Sequence, residues 1–96
     1  MNDKIFKKNT NWSEKIAKEI AKKESITITR DHWIVIYTIR DFYLKFNLTP
    51  SMRILIKILK KKTEKMTSCY LFKLFPLGPT QQASKIAGVP QPSNCL

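Results

Sequence analysis

The sequence predicts a mainly α protein: a small orthogonal bundle of about five helices ending in a flexible C-terminal arm. Three observations predict it. Apolar residues recur at helical spacing through most of the chain, while the period-2 alternation of a strand is never sustained. Residues that start and stop helices fall where those patterns begin and end. The last stretch, by contrast, carries Pro90 and Pro92 and no apolar pattern, which predicts an extended tail. A chain of 96 residues makes one domain, large enough to bury most of its apolar surface without staples. It divides into an N-terminal segment (1–10), a helical body (11–87) and the arm (88–96).

Up to Thr10 the chain is polar apart from Ile5 and Phe6, at most one weak strand. Asn11 followed by Glu14 three residues later reads as a capping box, which satisfies free backbone donors at a helix start. Trp12, Ile16, Ala17, Ile20 and Ala21 then recur at helical spacing, with Lys15, Lys18, Lys22 and Lys23 opposite, giving an amphipathic helix of about three turns. Glu24 to Ile28 is a connector. Thr29 caps the next helix, with Asp31 in the first turn where the helix dipole favours negative charge. From Trp33 to Phe46 apolar residues cover nearly every face, and a helix apolar all round is the buried centre of its bundle. This helix is therefore expected to be the core on which the others pack.

Asn47 to Pro50 ends that helix and begins another, with Pro50 at the first helical position, where its missing N–H is not needed. Along this helix, up to Lys62, Met52, Leu55, Ile56, Ile58 and Leu59 point inward while Arg53, Lys57, Lys60 and Lys61 point outward. After a polar break from Thr63 to Ser68, the run Cys69 to Phe75 forms a short apolar helix stopped by Pro76. Gly78-Pro79 opens the last helix. Gly88 closes it where a left-handed residue is needed, and Pro90 prevents continuation.

The formal charge of +11 is uneven: residues 51–73 hold seven basic side chains against one acid, Glu64, and beyond Leu74 there is only Lys85. A positive body suits acidic partners such as RNA or an acidic protein surface; a lysine-rich genome would produce the same composition. The stripe from Arg53 to Lys65 lacks the arginine and aromatic interleaving of a base-reading surface, so it supports nonspecific attraction without sequence readout. No apolar run is long enough to span a membrane, and the N-terminus has no signal-peptide pattern, so a cytoplasmic location is expected. His32 stands far in sequence from both cysteines, so neither zinc nor a Cys/His catalytic pair follows from spacing; no metal and no cofactor is expected.

Cys95 is the leading candidate site. A thiol on a terminal arm can enter another protein's pocket and carry sulfur as a persulfide, its reactivity set by its thiolate fraction. The neighbouring C-terminal carboxylate opposes ionisation, so activation would come from a partner's cations. The plain alternative is an incidental cysteine in a frayed tail. Cys69, among Tyr70, Leu71 and Phe72, reads as a small core hydrophobe. For His32, a packing or capping role outweighs catalysis.

The tail residues Gly78-Pro79, Gln82-Ala83, Lys85-Ile86-Ala87-Gly88, Pro90, Pro92 and Cys95 closely resemble the C-terminal signature of the TusE/DsrC family of sulfur-relay proteins. Upstream, Thr29, His32-Trp33, Val35-Ile36, Arg40-Asp41-Phe42-Tyr43, Pro50, Arg53, Leu55, Lys57 and Leu74-Phe75-Pro76 extend the resemblance from about Trp12 onward. It implies an α+β family fold whose N-terminal β-meander is reduced or absent here, because this sequence begins late relative to the family. In that family the cysteine matching Cys95 is the working thiol. The sulfite-reductase branch has a second arm cysteine eleven residues earlier, where this sequence has Ser84, so the resemblance is to the TusE branch.

What the resemblance implies is a sulfurtransferase acting as a persulfide carrier in transfer-RNA 2-thiouridine synthesis. Cys95 would accept sulfane sulfur from a TusBCD-like donor complex and pass it to an MnmA-like thiouridylase, with or without its tRNA, and no membrane is involved. Two alternatives stay open: a small basic helical nucleic-acid-binding protein, and a DsrC-like redox adaptor of sulfite reduction.

Overall fold

The computed structural model describes residues 12–90. Among them are five helices and no strand: α1 (Glu14–Lys23), α2 (Arg30–Phe46), α3 (Met52–Lys62), α4 (Ser68–Leu74) and α5 (Pro79–Ala87). The mainly α expectation holds. Whether the N-terminal segment pairs into a sheet falls outside the described residues.

Most helix ends follow the local chemistry read from the sequence, with two corrections. Thr29 caps α2, and Asn47 ends it in the left-handed conformation (φ 56°), its N–H bonded to the Tyr43 carbonyl. Gly88 closes α5 with φ 73° and Pro79 stands in its first turn. The capping residue of α1, however, is Ser13 rather than Asn11: its hydroxyl accepts from the Ile16 N–H at 3.3 Å. Trp12 therefore precedes the helix. Likewise Pro50 lies before α3, whose cap is Ser51, accepting from the Ile54 N–H at 3.3 Å. A serine hydroxyl next to the first turn satisfies a free donor that proline merely omits.

The centre of the bundle is also not where the apolar pattern places it. α5, the last and one of the shortest helices, packs against all four others. Its Gln82, Ala83, Ser84, Ile86 and Ala87 are buried, and small residues at Ala83, Ser84 and Ala87 let neighbouring backbones come close. α2 buries Val35, Ile36 and Ile39 against it but leaves Tyr37 and Phe46 42% and 57% exposed. The expectation of a wholly buried α2 fails because hydrophobicity alone does not say how many neighbours a helix has. Around α5 the core is completed by Ala17 and Ala21, Leu55 and Leu59, Met66, Leu71 and Phe75.

Two polar anchors orient α5. In its middle, the Gln82 side-chain amide donates to Glu24 at 3.0 Å and its carbonyl accepts from the Leu77 N–H at 2.9 Å. Lys85 adds an ion pair to Glu24 at 3.1 Å. These contacts, Gln82 first, hold the Glu24 carboxyl below its usual pKa.

Candidate functional site

The arm expected over 88–96 leaves the body from the C-terminal end of α5, so that end is the part of the site the described residues build. A helix ends with four carbonyls that have no intrahelical donor. Here each has found one. Val89 N–H donates to Ser84 at 3.1 Å and Gly88 N–H to Lys85 at 3.2 Å. The indole N–H of Trp12 donates to Ile86 at 2.7 Å, and the Arg40 guanidinium donates to Ala87 at 2.5 Å. The last bond places a fixed cation at the negative end of the helix dipole.

Arg40 is itself only 3% exposed. Its guanidinium carbon lies 4.0 Å from the centroid of the Trp12 ring, a cation–π distance. Burial lowers its pKa, with Tyr37 opposing; arginine nonetheless keeps its charge. Trp12 in turn lies edge-on to Tyr37, ring centroids 5.8 Å apart at 86°. A tryptophan just before α1 and an arginine in the middle of α2 thus close over the end of α5.

Gly88 fits this closure for two reasons. Its φ of +73° suits glycine, and a Cβ there would stand 2.5 Å from Trp12 Cδ1, closer than any real contact. Past it the chain stays on the body: Val89 is buried, and the Thr49 hydroxyl donates to the Pro90 carbonyl. The first residues of the predicted arm are therefore packed, and its exit direction is set by Trp12, Arg40 and Thr49. Residues 91–96, Cys95 included, lie outside the described residues. Covalent geometry alone limits Cys95 to about 18 Å from Pro90.

The other sequence candidates fall elsewhere. Cys69 is exposed on α4, a correction to its reading as a core residue: α4 turns Leu71 and Leu74 inward, and the residue two before Leu71 falls on the outer side. His32 is buried and takes the third position of a capping box. Its Nδ1 accepts from the Thr29 N–H at 3.0 Å and its Nε2 meets the Leu74 carbonyl at 2.9 Å. An amide must donate and a carbonyl must accept, so the ring proton sits on Nε2, and the side chain ties α2 to the end of α4. Ser84 is fully buried within α5, its hydroxyl without a partner. On α3, Arg53, Lys57, Lys60 and Lys61 point to solvent as expected, while Lys65 pairs with Asp31 at 3.0 Å.

Sequence reasoning missed the closure itself. The helical spacing places Trp12 as an ordinary member of the α1 stripe. Arg40 gave one signal: a cation four residues after Ile36 and three before Tyr43, on a side of the helix that is otherwise apolar, needs a buried partner. No group of three His, Cys, Asp or Glu residues able to hold a metal occurs among the described residues, and no described helix is long and apolar enough to cross a membrane.

A family model described as "DsrC like protein" matches residues 1–96. The chain belongs to the DsrC-like family. Its relatives within that family include the protein named Sulfurtransferase TusE from Buchnera aphidicola subsp. Schizaphis graminum, 63% identical over 95% of this chain and 82% of the relative. The Sulfurtransferase TusE of Escherichia coli (strain K12) is 47% identical over 95% of this chain and 85% of its own length. Among solved DsrC-like structures, the NMR structure of Allochromatium vinosum DsrC superposes with a TM-score of 0.81 at 38% identity, covering 90% of this chain and 79% of that one. The oxidized gamma-subunit of the dissimilatory sulfite reductase (DsrC) from Archaeoglobus fulgidus gives 0.81 at 35% identity, covering 92% and 82%. The helical body is thus the shared DsrC-like scaffold.

Proposed function

We propose that this chain is a sulfurtransferase of the TusE kind that works as a persulfide carrier, with Cys95 as its covalent residue. The class of activity follows the relatives named Sulfurtransferase TusE at 47–63% identity. The observation that supports the carrier reading is the end of α5: four carbonyls, all bonded, and a glycine locked against Trp12 give the chain leading to Cys95 a fixed starting point. A carrier has to present one sulfur to two different proteins, and a short reach from a fixed base does that.

The chemistry is a pair of sulfur transfers. The Cys95 thiolate attacks the outer sulfur of a donor persulfide, forming Cys95–S–SH as the donor's S–S bond breaks and its thiolate leaves. An acceptor thiolate then takes the same outer sulfur, and Cys95 departs as thiolate. No oxidant or reductant is consumed. The donor is a TusBCD-like complex and the acceptor an MnmA-like thiouridylase making 2-thiouridine in tRNA, as the resemblance to the TusE branch implies. Ser84 supports that branch over a redox adaptor, because a buried serine within α5 offers no second thiol to pair with Cys95.

The test is persulfide loading. Wild type incubated with a persulfide donor gains one sulfur by mass spectrometry, mapped to Cys95. Cys69→Ser loads as well as wild type, and Cys95→Ser does not load. Loading that persists in Cys95→Ser, or moves to Cys69, overturns the assignment.

A further inference from the structure

Between the outer side of α2 and the C-terminal end of α3 lies a pocket of about 680 Å³ lined by Arg30, Trp33, Ile34, Tyr37, Lys62 and Thr63. The sulfur-transfer reading makes no use of it. Its aromatic wall is Trp33 and Tyr37, ring centroids 5.7 Å apart and inclined at 31°. Cations reach it from both helices. Lys62 lines it while its ammonium donates to the Thr38 hydroxyl at 2.7 Å, a bond that uses one of its three donors.

Three of the nearby acids are engaged, while Glu64, next to the lining residue Thr63, is exposed. Glu14 accepts from the Tyr37 hydroxyl. Asp31 is held by Tyr70 and Lys65, and Asp41 pairs with Lys45 at 3.5 Å. The charged side chains in the pocket lining itself are Arg30 and Lys62. Beyond it the exposed Arg53, Lys57, Lys60 and Lys61 continue the positive surface along α3, a helix with no acidic residue.

We propose that this pocket binds an unpaired nucleotide of a structured RNA, its base against Trp33 and Tyr37 and its phosphate at Arg30 and Lys62. Every base has a π-face, and stacking on aromatic side chains beside a cationic track is how single-stranded nucleic acid is held without sequence readout. The sequence of α3 alone shows lysines without aromatic neighbours; the fold supplies those neighbours from α2. An acidic peptide would satisfy the cations but put no flat group on the ring pair. A polyanion, in addition, brings further phosphates to the α3 lysines, which a short acidic segment does not reach.

The pocket also has a defined relation to the arm. Tyr37 lies edge-on to Trp12, and Trp12 caps the end of α5. An RNA held here is one ring away from the base of the arm. The inference goes beyond the carrier reading and does not need the thiol.

The test uses the full-length Cys95→Ser protein, so that thiol chemistry plays no part. A labelled RNA hairpin with an unpaired loop, and a fully paired duplex of equal length, are titrated by fluorescence anisotropy at several salt concentrations. The hairpin binds at least about ten-fold tighter than the duplex. Tyr37→Leu removes that preference and leaves the salt slope unchanged. Arg30→Gln and Lys62→Gln each lower the slope by about one. Circular dichroism checks that the three variants, all at exposed positions, stay folded. Equal affinity for hairpin and duplex overturns the proposal, leaving only nonspecific attraction. So does binding of a glutamate-rich peptide in place of RNA, or a dimer in sedimentation that Tyr37→Leu dissolves.

Discussion

The two sides of α2 carry similar numbers of large side chains and do opposite work. On the inner side, Val35, Ile36 and Ile39 are fully buried, and the polar His32 and Arg40 are buried with them. Each of these two reaches a carbonyl that ends another helix region: Leu74 for His32, Ala87 for Arg40. On the outer side, Tyr37 and Phe46 remain exposed, and Trp33, Ile34 and Phe42 line open pockets. The polar residues thus sit inside and hold the fold, while much of the aromatic surface faces out. In a chain this small one helix cannot be covered on every side, and the side left open is free for a ligand.

The sharpest way to break this contrast is Arg40→Ala. It removes a charge-assisted hydrogen bond from a buried carbonyl and the cation from over Trp12. The expected cost is about 3 kcal/mol, from the orphaned acceptor and the lost packing, read as a lower urea midpoint with unchanged slope. Persulfide delivery to an acceptor falls as well, because the base of the arm is no longer held. A loss no larger than that of an outer-side substitution would show that the inner polar contacts are incidental.

Next is Gly88→Ala, which attacks the same closure from α5. The added methyl meets Trp12, and the left-handed conformation disfavours any Cβ. About 2 kcal/mol of destabilisation is expected, accompanied by a shift of tryptophan emission as Trp12 is displaced. Unaltered emission would mean that Trp12 does not sit against Gly88 in solution.

Much of this frame was legible in the sequence. Thr29, Asn47 and Gly88 announce helix ends by local chemistry, and local chemistry is present in the string. Cys69 and the centre of the bundle were misread for a common reason. The window Cys69 to Phe75 is apolar throughout, so only the helix's angular position, set by Leu71 and Leu74 turning inward, tells that Cys69 faces solvent. Similarly, α5 is central through Ala83, Ser84 and Ala87, small residues that score as weakly hydrophobic yet permit four neighbours. The pairing of Trp12 with Arg40 and Ile86 spans separations of 28 and 74 positions, and no local window reports on contacts so distant. The family resemblance, in contrast, was carried by discrete residues such as Gly88, Pro90 and Cys95, and these survive any error about burial.

A smaller effect separates the edge of α2 from both sides. Asp31, at its start, is held below the usual 3.8, first by the Tyr70 hydroxyl and then by Lys65. A carboxyl with a depressed folded pKa stabilises the fold above its unfolded value and loses that contribution as pH falls through the folded value. Stability should therefore decline below about pH 4, with Glu24, lowered by Gln82 and Lys85, adding to the slope. Asp31→Asn reduces the acid-side slope of the unfolding midpoint against pH. An unchanged slope would remove the link between α2 and α4 from the account of stability.

The smallest expected change is the one that isolates the outer side. Tyr37→Leu removes the hydroxyl that donates to Glu14 and part of the aromatic wall of the pocket. At 42% exposure a substitution there costs less than about 0.5 kcal/mol. Burial first, and then Glu14, push the Tyr37 pKa from 10.0 to about 12. The folded state therefore keeps this proton longer than the unfolded state does, and the stabilisation it gives is complete below pH 10 and lost as pH rises toward 12. Because solvent screens so exposed a group, the alkaline loss is shallow, and Tyr37→Leu abolishes it while leaving the neutral-pH midpoint nearly unchanged. A large loss at neutral pH would place Tyr37 among the groups that hold the fold, and the division of α2 into a holding side and a binding side would fail with it.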